Sequence, residues 1–227
     1  MSLACHEATT RGIIGLQKFG GGRVSEQKHW DKIYREKAAD AVSWYRPHLE
    51  TSLKLIEASA RTRSAAIIDV GGGESTLVDD LVTGGYSNLT VLDLSSTAIE
   101  VTKKRLGETA RRVHWLAANV TDAELPLHSY DVWHDRAVFH FLTERETRTA
   151  YVRQVVRAVK PGGHVIVGTF GPEGPQKCSG LDVVRYDVES LHGEFGAKFE
   201  LVESLSELHT TPWDTTQQFL YCMCRVE

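Results

Sequence analysis

The stretch AAIIDVGGGESTL, residues 65–77, constrains the fold more than any other part of this sequence. A short apolar run ends in Asp69, three glycines follow, and the sequence then becomes polar before the next apolar period. This order is typical of a buried strand that turns directly into a helix. Glycines at such a corner let a ligand lie against the backbone, close to the free N–H groups of the helix start. The corner therefore predicts a ligand site at the end of a strand.

Strands and helices alternate after this corner. The predicted strands are 66–70, 89–93, 113–117, 131–135 and 164–169, and the predicted helices lie near 75–83, 96–107 and 144–160. Such alternation is typical of a parallel sheet with helices on both faces. Thr143 and Glu146 predict a capping box at the start of the third of these helices, and residues 160–163, KPGG, predict its end.

Both ends of the chain depart from this alternation. Residues 1–25 lack an apolar period and are predicted to be a flexible tail, which leaves one domain over residues 26–227. Two amphipathic helices are expected before the first strand, with Trp30 and Tyr34 packed in the core. Near the C-terminus, FELVESLSELH and QQFLYCMCRV resemble strands joined by a connection too short for a helical crossover. These two strands should therefore pair antiparallel.

Composition excludes several functional classes. The chain has 227 residues and a net charge of -4, so we expect one domain with no broad basic field for nucleic acid. It has neither a membrane-length apolar window nor a secretory signal, and a soluble, cytoplasmic protein is expected. The four cysteines include no C-x-x-C pair and the histidine spacing fits no usual ligand pattern, so no metal site is expected. Cys222 and Cys224 are predicted to be buried reduced thiols.

A second acidic residue narrows the ligand of the glycine corner. Asp93 ends the second predicted strand twenty positions after Gly73. This is the spacing of a carboxylate that accepts hydrogen bonds from a ribose diol. Thr76 stands where a dinucleotide fingerprint carries a small residue, and Asp69 and Glu74 would repel a pyrophosphate. A nucleoside that carries an ammonium and a positive sulfur, and no phosphate, fits these residues better.

With these residues the sequence resembles the class I S-adenosylmethionine (AdoMet)-dependent methyltransferases over residues 26–227. The resemblance rests on IIDVGGGES, VLDLS, AANVTD, YDVWHDRAVFHFL and VKPGG, which follow one another in the family's order. It implies an α/β, Rossmann-like three-layer sandwich with a seven-stranded, mostly parallel sheet. The implied strand order is 3-2-1-4-5-7-6, with the last strand antiparallel and an N-terminal helical lid. The implied cofactor is AdoMet, and the product is S-adenosylhomocysteine.

The resemblance also assigns residues to the cofactor. Gly71 and Gly73 are placed against its methionine part and Asp93 on its ribose hydroxyls. Asn119 departs from the more usual aspartate at the adenine edge, where its oxygen can still accept from the adenine amino group. Arg46, in the break between the first two helices, is suited to the methionine carboxylate or to an acidic acceptor. The predicted cofactor residues are Asp69, Gly71, Gly73, Asp93, Leu94, Asn119, Val120, His134, Arg46 and Trp44.

The segment WHDRAVFHFL is expected to border the site of methyl transfer. His134 and Asp135 are predicted to face the acceptor, and His140 is a second candidate base; these three are the predicted catalytic residues. In the alternative interpretation, Asp135 pairs with a neighbouring arginine and His140 only packs. A base is needed only if the acceptor carries a proton at the working pH. The predicted substrate residues are Tyr45, Arg136, Phe170 and Arg185.

Methyl transfer to a small molecule is the leading functional hypothesis. Lysine methyltransferases of this family commonly carry Asp-Lys-Gly-Thr after strand four, where residues 135–138 read Asp-Arg-Ala-Val. A protein side chain is therefore the second candidate acceptor. An NAD-dependent oxidoreductase is disfavoured by Thr76 and by the antiparallel pair at the C-terminus. A catalytically silent AdoMet-binding protein is the third alternative.

Overall fold

The described chain forms a seven-stranded sheet with helices on both faces. The computed structural model describes the backbone of residues 20–227 and the side chains from residue 25 onward. The helices are α1 (Gly20–Glu36), α2 (Glu50–Ser59), α3 (Leu77–Thr83), α4 (Ser96–Leu106), α5 (Arg145–Ala158) and α6 (Val188–Phe195). The strands are β1 (Ala66–Val70), β2 (Asn88–Asp93), β3 (Val113–Ala117), β4 (Tyr130–Arg136), β5 (Val159–Phe170), β6 (Lys177–Cys178), β7 (Leu181–Asp182), β8 (Phe199–Thr210) and β9 (Thr216–Val226).

The sheet has the order β3-β2-β1-β4-β5-β9-β8, and β6 pairs with β7 outside it. Strands β1 to β5 are parallel, and β9 is antiparallel to both of its neighbours. If only the seven strands of this sheet are numbered, β8 and β9 become strands 6 and 7. The predicted order 3-2-1-4-5-7-6 is therefore confirmed. The order reverses between β1 and β4, so the carboxyl ends of these strands border a crevice in which such sheets bind ligands.

Two apolar layers hold the helices against the sheet. Side chains of α2 and α3 pack on one face, and side chains of α5 and α6 pack on the other. Strand β1 serves both layers, because Ile67 belongs to the first and Ile68 to the second. Cys222 and Cys224 are free and buried in the second layer, as predicted, and burial raises their thiol pKa values to about 12 and about 11.

Some local predictions were wrong. Helix α1 begins at Gly20 rather than near Glu26, and residues 1–19 of the predicted tail lie outside the described residues. The capping box at Thr143 does not form, because α5 starts one residue later than predicted, with Glu144 at its N-cap and no side-chain hydrogen bond there. A capping box occurs instead at Asp187, at the start of α6, a helix that the sequence pattern did not predict.

The loop after β5 forms the β6–β7 hairpin. Ser179 and Gly180 join these two strands with φ angles of 50° and 81°. Two successive positive φ angles are typical of a tight hairpin turn, in which glycine is favoured. The hairpin returns the chain to the crevice edge, where Cys178 and Leu181 line a cavity. Among the described helices, none is both long and apolar enough to cross a membrane.

Candidate active site

The glycine corner packs closely on the protein itself. Gly71 has a φ of 73°, which favours glycine, and a side chain there would overlap Val138. A Cβ atom on Gly73 would lie 2.6 Å from Oδ2 of Asp93. The glycines therefore allow β1 to turn against the end of β2 and against the segment after β4. Their contact with a ligand stays a prediction.

Asp93 is fixed by two backbone groups. Its Oδ2 accepts from the N–H of Gly73 at 3.0 Å, and its Oδ1 accepts from the N–H of Ser95 at 2.7 Å. A carboxylate has about four acceptor positions, so each oxygen can still accept one further bond. Burial raises the pKa of Asp93 to about 6, although the two backbone donors act to lower it. The carboxylate is therefore mostly ionised at neutral pH. The carboxylate is thus held ready for two hydroxyl groups.

Asp93 lines a cavity of about 350 Å³ above the strand ends. This volume is within the range of about 300–1,000 Å³ found for small-ligand sites. One half of the cavity, the strand-end half, is formed by residues at or just after the carboxyl ends of β1, β2 and β3. The other half, the covered half, is formed mainly by side chains from α1, the segment 37–49, β4 and the β6–β7 hairpin. The lining includes Trp30, Tyr34, Trp44, Gly71, Asp93, Leu94, Asn119, Val120, Arg136, Val138, Phe141, Cys178, Leu181 and Asp182.

Asn119 presents a donor to the strand-end half. Its Oδ1 accepts from the backbone N–H of Thr121 at 3.0 Å and from the Thr121 hydroxyl at 2.8 Å. Because a backbone N–H only donates, the amide oxygen must face Thr121. Both lone pairs of this oxygen are then used, and the amide NH₂ is the group left for a ligand. In this arrangement the oxygen is occupied by Thr121, and a contact of Asn119 with adenine stays a prediction.

A second, smaller cavity of about 40 Å³ adjoins the glycine corner and is lined by charged groups of both signs. Oδ2 of Asp69 and Oε2 of Glu74 are buried there and have no hydrogen-bond partner within residues 20–227. Burial raises the pKa of Glu74 to about 7, against the opposing effect of Arg105. Arg46 lines the same cavity, with Nη1 at 3.6 Å from Oε1 of Glu207. Unpaired acidic oxygens beside a guanidinium fit the ammonium and carboxylate of an amino acid.

His134 lies against the small cavity but is enclosed. Its Nδ1 is 2.7 Å from Oδ1 of Asp69, and its Nε2 is 2.9 Å from the hydroxyl of Ser52 on α2. Since an ionised carboxylate only accepts, Nδ1 donates to Asp69, and Nε2 and the Ser52 hydroxyl share the second hydrogen bond. The order Ser–His–Asp matches a hydrolytic triad, yet Ser52 is 0% exposed, so no substrate reaches it. In this structure His134 joins α2 to β1.

Asp135 faces the opposite side of the sheet. Its Oδ2 accepts from the hydroxyl of Tyr151 at 2.6 Å, and its Oδ1 accepts from the N–H of Val138 at 3.0 Å. Burial raises its pKa to about 6, while the Tyr151 bond opposes this rise. Asp135 is 0% exposed and does not line either cavity. It therefore fixes the turn after β4 to α5, and neither the predicted acceptor contact nor the ion pair with Arg136 is present.

His140 is also enclosed. Its Nδ1 accepts from the backbone N–H of Phe170 at 3.2 Å, and its ring packs on Phe141 and Phe170. Burial lowers its pKa to about 3, with a further contribution from Arg136, so the ring is neutral. Nδ1 is already occupied, and the residue lines neither cavity. The alternative interpretation, in which His140 packs, describes this geometry.

The predicted substrate residues separate into two groups. Arg136 lines both cavities, and Tyr45 lines the smaller one. Phe170 is 1% exposed in the core, which leaves no surface for a substrate. Arg185 donates to the backbone oxygen of Pro172 at 2.7 Å and closes a loop outside both cavities. A substrate contact by Phe170 or Arg185 is therefore absent from this arrangement.

Aromatic side chains form the roof of the covered half, among them Trp30, which was predicted to pack in the core, and Trp44, which was predicted to contact the cofactor. The ring of Trp30 lies 5.1 Å from that of Phe141 and 6.0 Å from that of Trp44. Tyr34 lines both cavities, and burial raises the pKa of its hydroxyl well above the usual value, which keeps it a neutral donor. Helix α1 is held above the end of β2 because the hydroxyl of Ser95 donates to Asp31 at 2.5 Å.

Glu74, which the sequence analysis placed at the glycine corner, was not among the predicted cofactor residues, and the prediction missed Trp30, Tyr34 and Phe141 as site residues. Their helical or loop positions gave no signal, because the roof depends on how α1 crosses the sheet. The sequence did indicate that His134 and Asp135 point to opposite faces of the sheet, since they are neighbours on one strand. Within the described part of the chain, no three histidine, cysteine or acidic residues are placed to hold a metal ion.

Comparison with known proteins finds a family model and several relatives that are similar to this chain. Residues 67–163 match the family described as "Methyltransferase domain". Bovine eEF1A lysine and N-terminal methyltransferase is 27% identical over 61% of this chain, and the match spans 19% of the bovine protein's length. Human EEF1A lysine methyltransferase 2 is 21% identical, over 86% of this chain and 83% of the human protein.

Solved structures share the fold. A protein solved in work on the conversion of a disulfide bond into a thioacetal group during echinomycin biosynthesis superposes with a TM-score of 0.72. The two sequences are 18% identical, and the match covers 89% of this chain and 92% of that one. Burkholderia thailandensis 1,6-didemethyltoxoflavin-N1-methyltransferase, solved with its acceptor and S-adenosylhomocysteine, gives a TM-score of 0.64 at 19% identity, over 89% and 84% of the two chains.

Proposed function

We propose that this chain is a class I AdoMet-dependent methyltransferase and that it transfers a methyl group to a small-molecule acceptor. AdoMet supplies an electrophilic methyl group on a positively charged sulfur. The proposal for the acceptor rests on one observation: the covered half of the large cavity lies under α1 and the segment 37–49, with Trp30, Trp44 and Phe141 as its roof. An aromatic, roofed space suits a compact acceptor.

In this proposal, the strand-end half and the small cavity hold the cofactor. Asp93 accepts from the ribose hydroxyls, and Leu94, Asn119 and Val120 border the adenine. Asp69 and Glu74 face the ammonium, and Arg46 faces the carboxylate. Their contribution is to position the reactants, since alignment in a closed site supplies most of the rate of such a displacement.

The carboxylates that line the covered half are those of Glu26, which is exposed, and of Asp182, which pairs with Nζ of Lys177 at 2.7 Å, so neither is a buried base. Tyr34 stays a neutral phenol, and burial raises the pKa of the Cys178 thiol to about 11. His134, Asp135 and His140 remain catalytic candidates from the sequence, yet their hydrogen bonds to the protein support positioning roles. An acceptor atom that carries no proton fits this site best, because it attacks without a base.

A protein lysine is the second candidate acceptor. It is favoured by the sequence relatives, which are methyltransferases of eEF1A lysines. Arg136 disfavours it, because a guanidinium that lines the acceptor space repels a lysine ammonium.

One experiment separates these candidates. The protein is incubated with methyl-labelled AdoMet and fractionated cell extract, with an Asp93→Ala variant as the inactive control. We expect label in small metabolites and none with the variant. Label in macromolecules, with methyllysine after hydrolysis, would establish the second candidate instead. Binding of NADH without binding of AdoMet would contradict both.

A further inference from the structure

The side chain of Arg136 is a buried cation with an incomplete set of partners. It is 5% exposed and lies at the end of β4, where it lines both cavities. Its Nε donates to the hydroxyl of Tyr221 at 2.9 Å, and its Nη1 donates to the backbone oxygen of Trp44 at 3.1 Å. Nη2 is buried and has no hydrogen-bond partner within residues 20–227.

The nearest carboxylate does not complete this set. Oε1 of Glu207 is 3.9 Å from Nη2 of Arg136 and 3.6 Å from Nη1 of Arg46, and both distances exceed a hydrogen bond. Arg46 also pairs with Glu50, whose Oε2 lies 3.3 Å from Nη2 of Arg46, so Glu207 is not its sole carboxylate. Arginine does not lose its proton in proteins, so Nη2 of Arg136 remains a charged donor at every working pH.

The neighbouring groups keep the guanidinium in place. Its Cζ lies 4.2 Å from the ring centroid of Phe219, and this stacking fixes the plane of the fork. Tyr221 reaches Nε because Gly168 leaves space for its ring: a Cβ atom on Gly168 would lie 2.8 Å from Cε1 of Tyr221. A fixed, buried fork with free N–H groups is suited to a planar oxyanion, and leaving those groups unpaired costs free energy.

Building on the proposed function, we infer that the acceptor carries a carboxylate that pairs with Nη2 of Arg136. A carboxylate gives Nη2 of Arg136 the acceptor that it lacks among the described residues. The aromatic roof of Trp30, Trp44 and Phe141 covers the apolar body of such an acceptor. A carboxylate oxygen also carries no proton to remove, which suits a site without an evident base.

The carboxylate could instead belong to the methionine part of AdoMet, so the test distinguishes the two sources. Benzoate and indole-3-acetate are titrated into the protein saturated with S-adenosylhomocysteine, beside the neutral amides and the cations benzylamine and tryptamine. Arg136→Gln and Arg136→Lys are compared with the wild type. Arg153→Gln, an exposed arginine on α5, is the matched control. S-adenosylhomocysteine and 5′-methylthioadenosine, which lacks the amino-acid group, are titrated into every variant.

We expect the carboxylates to bind the wild type at least about tenfold more tightly than the amides or the amines. Arg136→Gln should remove this preference, Arg136→Lys should keep part of it, and Arg153→Gln should keep all of it. The affinity ratio of S-adenosylhomocysteine to 5′-methylthioadenosine should stay unchanged in both Arg136 variants. The unchanged ratio also shows that these variants are folded.

Three results would overturn the inference. Equal or absent binding of the carboxylates and amides would show that Arg136 does not select an anionic acceptor. A fall of tenfold or more in the S-adenosylhomocysteine to 5′-methylthioadenosine ratio in Arg136→Gln would assign the anion to the cofactor. Preferred binding of the amines would favour an amine acceptor. A wild type that binds no S-adenosylhomocysteine would contradict the proposed function itself, a different outcome from these three.

Discussion

The two halves of the large cavity are built in different ways. In the strand-end half, the carboxylate of Asp93 and the amide of Asn119 are fixed by backbone N–H groups of residues nearby in the chain or in the adjoining corner. In the covered half, Trp30 and Arg136 are fixed by ring contacts and by bonds to distant parts of the chain. The strand-end half is therefore set by local geometry, and the covered half is set by tertiary packing.

This difference fits separate roles for the two halves, cofactor binding in one and acceptor binding in the other. Local backbone bonds produce the same geometry wherever a strand turns into a helix, which suits a cofactor that does not vary. A roof made of side chains from α1 and the segment 37–49 can change without disturbing the sheet, which suits an acceptor that varies between enzymes. Substitutions in the two halves should therefore separate cofactor affinity from acceptor choice.

The largest effect on the strand-end half is expected from Asp93→Ala. It removes the acceptor of two ribose hydroxyls, and hydrogen bonds to a charged group contribute about 1.5–3 kcal/mol each. The Kd of S-adenosylhomocysteine, measured by calorimetry, should rise by about 100-fold or more. The exposed acid Asp40 provides the control, and Asp40→Ala should bind as the wild type does. An Asp93 variant that is folded and binds within threefold of the wild type would contradict the assignment.

Asp135→Ala should instead lower stability. It leaves the hydroxyl of Tyr151 and the N–H of Val138 without their acceptor in the core, at a cost of about 1–3 kcal/mol for each donor. The free energy of unfolding, from urea titration, should fall by about 3 kcal/mol, with S-adenosylhomocysteine affinity within about fivefold of the wild type. Tyr151→Phe should lose less. A variant of wild-type stability that binds cofactor and has no turnover would make Asp135 catalytic.

The stability of the free protein and its affinity for S-adenosylhomocysteine should depend on pH in opposite directions. In the free protein, burial raises the pKa values of Asp93 and Asp135 to about 6 and that of Glu74 to about 7. Between about pH 4 and 7 the folded state therefore binds more protons than the unfolded state, so these groups make stability fall as the pH rises through this window. Urea titrations at pH 5 and pH 8 measure this contribution, and the Asp93→Asn variant should lose its share of it.

Binding of S-adenosylhomocysteine should show the opposite trend. Ribose hydroxyls and an ammonium favour the ionised forms of Asp93 and Glu74, so the complex holds fewer protons than the free protein. Affinity should rise several-fold between pH 5.5 and pH 8, as measured by calorimetry in two buffers of different ionisation enthalpy. Affinity that is constant over this range would show that neither carboxyl group titrates on binding.

The smallest effect is expected at the adenine edge. Asn119→Asp keeps the turn, because a carboxylate accepts both bonds from Thr121, and it replaces the amide donors that face the cavity. The Kd of S-adenosylhomocysteine should change by less than about tenfold. Asn119→Ala, which also removes the turn bonds, should have the larger effect of the two. A loss as large as that of Asp93→Ala would show that the adenine edge dominates binding.

The sequence predicted the strand-end half well because its signals are local. The apolar run before Asp69, the glycines and the spacing to Asp93 lie within one strand–helix–strand unit, and the structure places these residues at one corner. The sheet order was also predicted, with help from the family resemblance and from the short connection between β8 and β9. Short-range patterns are sufficient for such elements.

The covered half was predicted less well because its geometry depends on distant contacts. Trp30 and Tyr34 have the spacing of a helix face in a core, and only the position of α1 above β2 turns them toward a cavity. Phe170 was expected at the site because it ends β5, yet it packs between His140 and Phe219. A local sequence pattern does not determine whether a buried side chain faces a cavity or packs in the core.

The central claim is that the carboxyl ends of β1 and β2 hold an AdoMet-type nucleoside through Asp93. A crystal structure of the protein soaked with S-adenosylhomocysteine tests this most directly. The account predicts both ribose hydroxyls within hydrogen-bond distance of Asp93 and the amino-acid end of the ligand between Glu74 and Arg46. An empty corner at full ligand saturation, or a ribose bound away from Asp93, would contradict it.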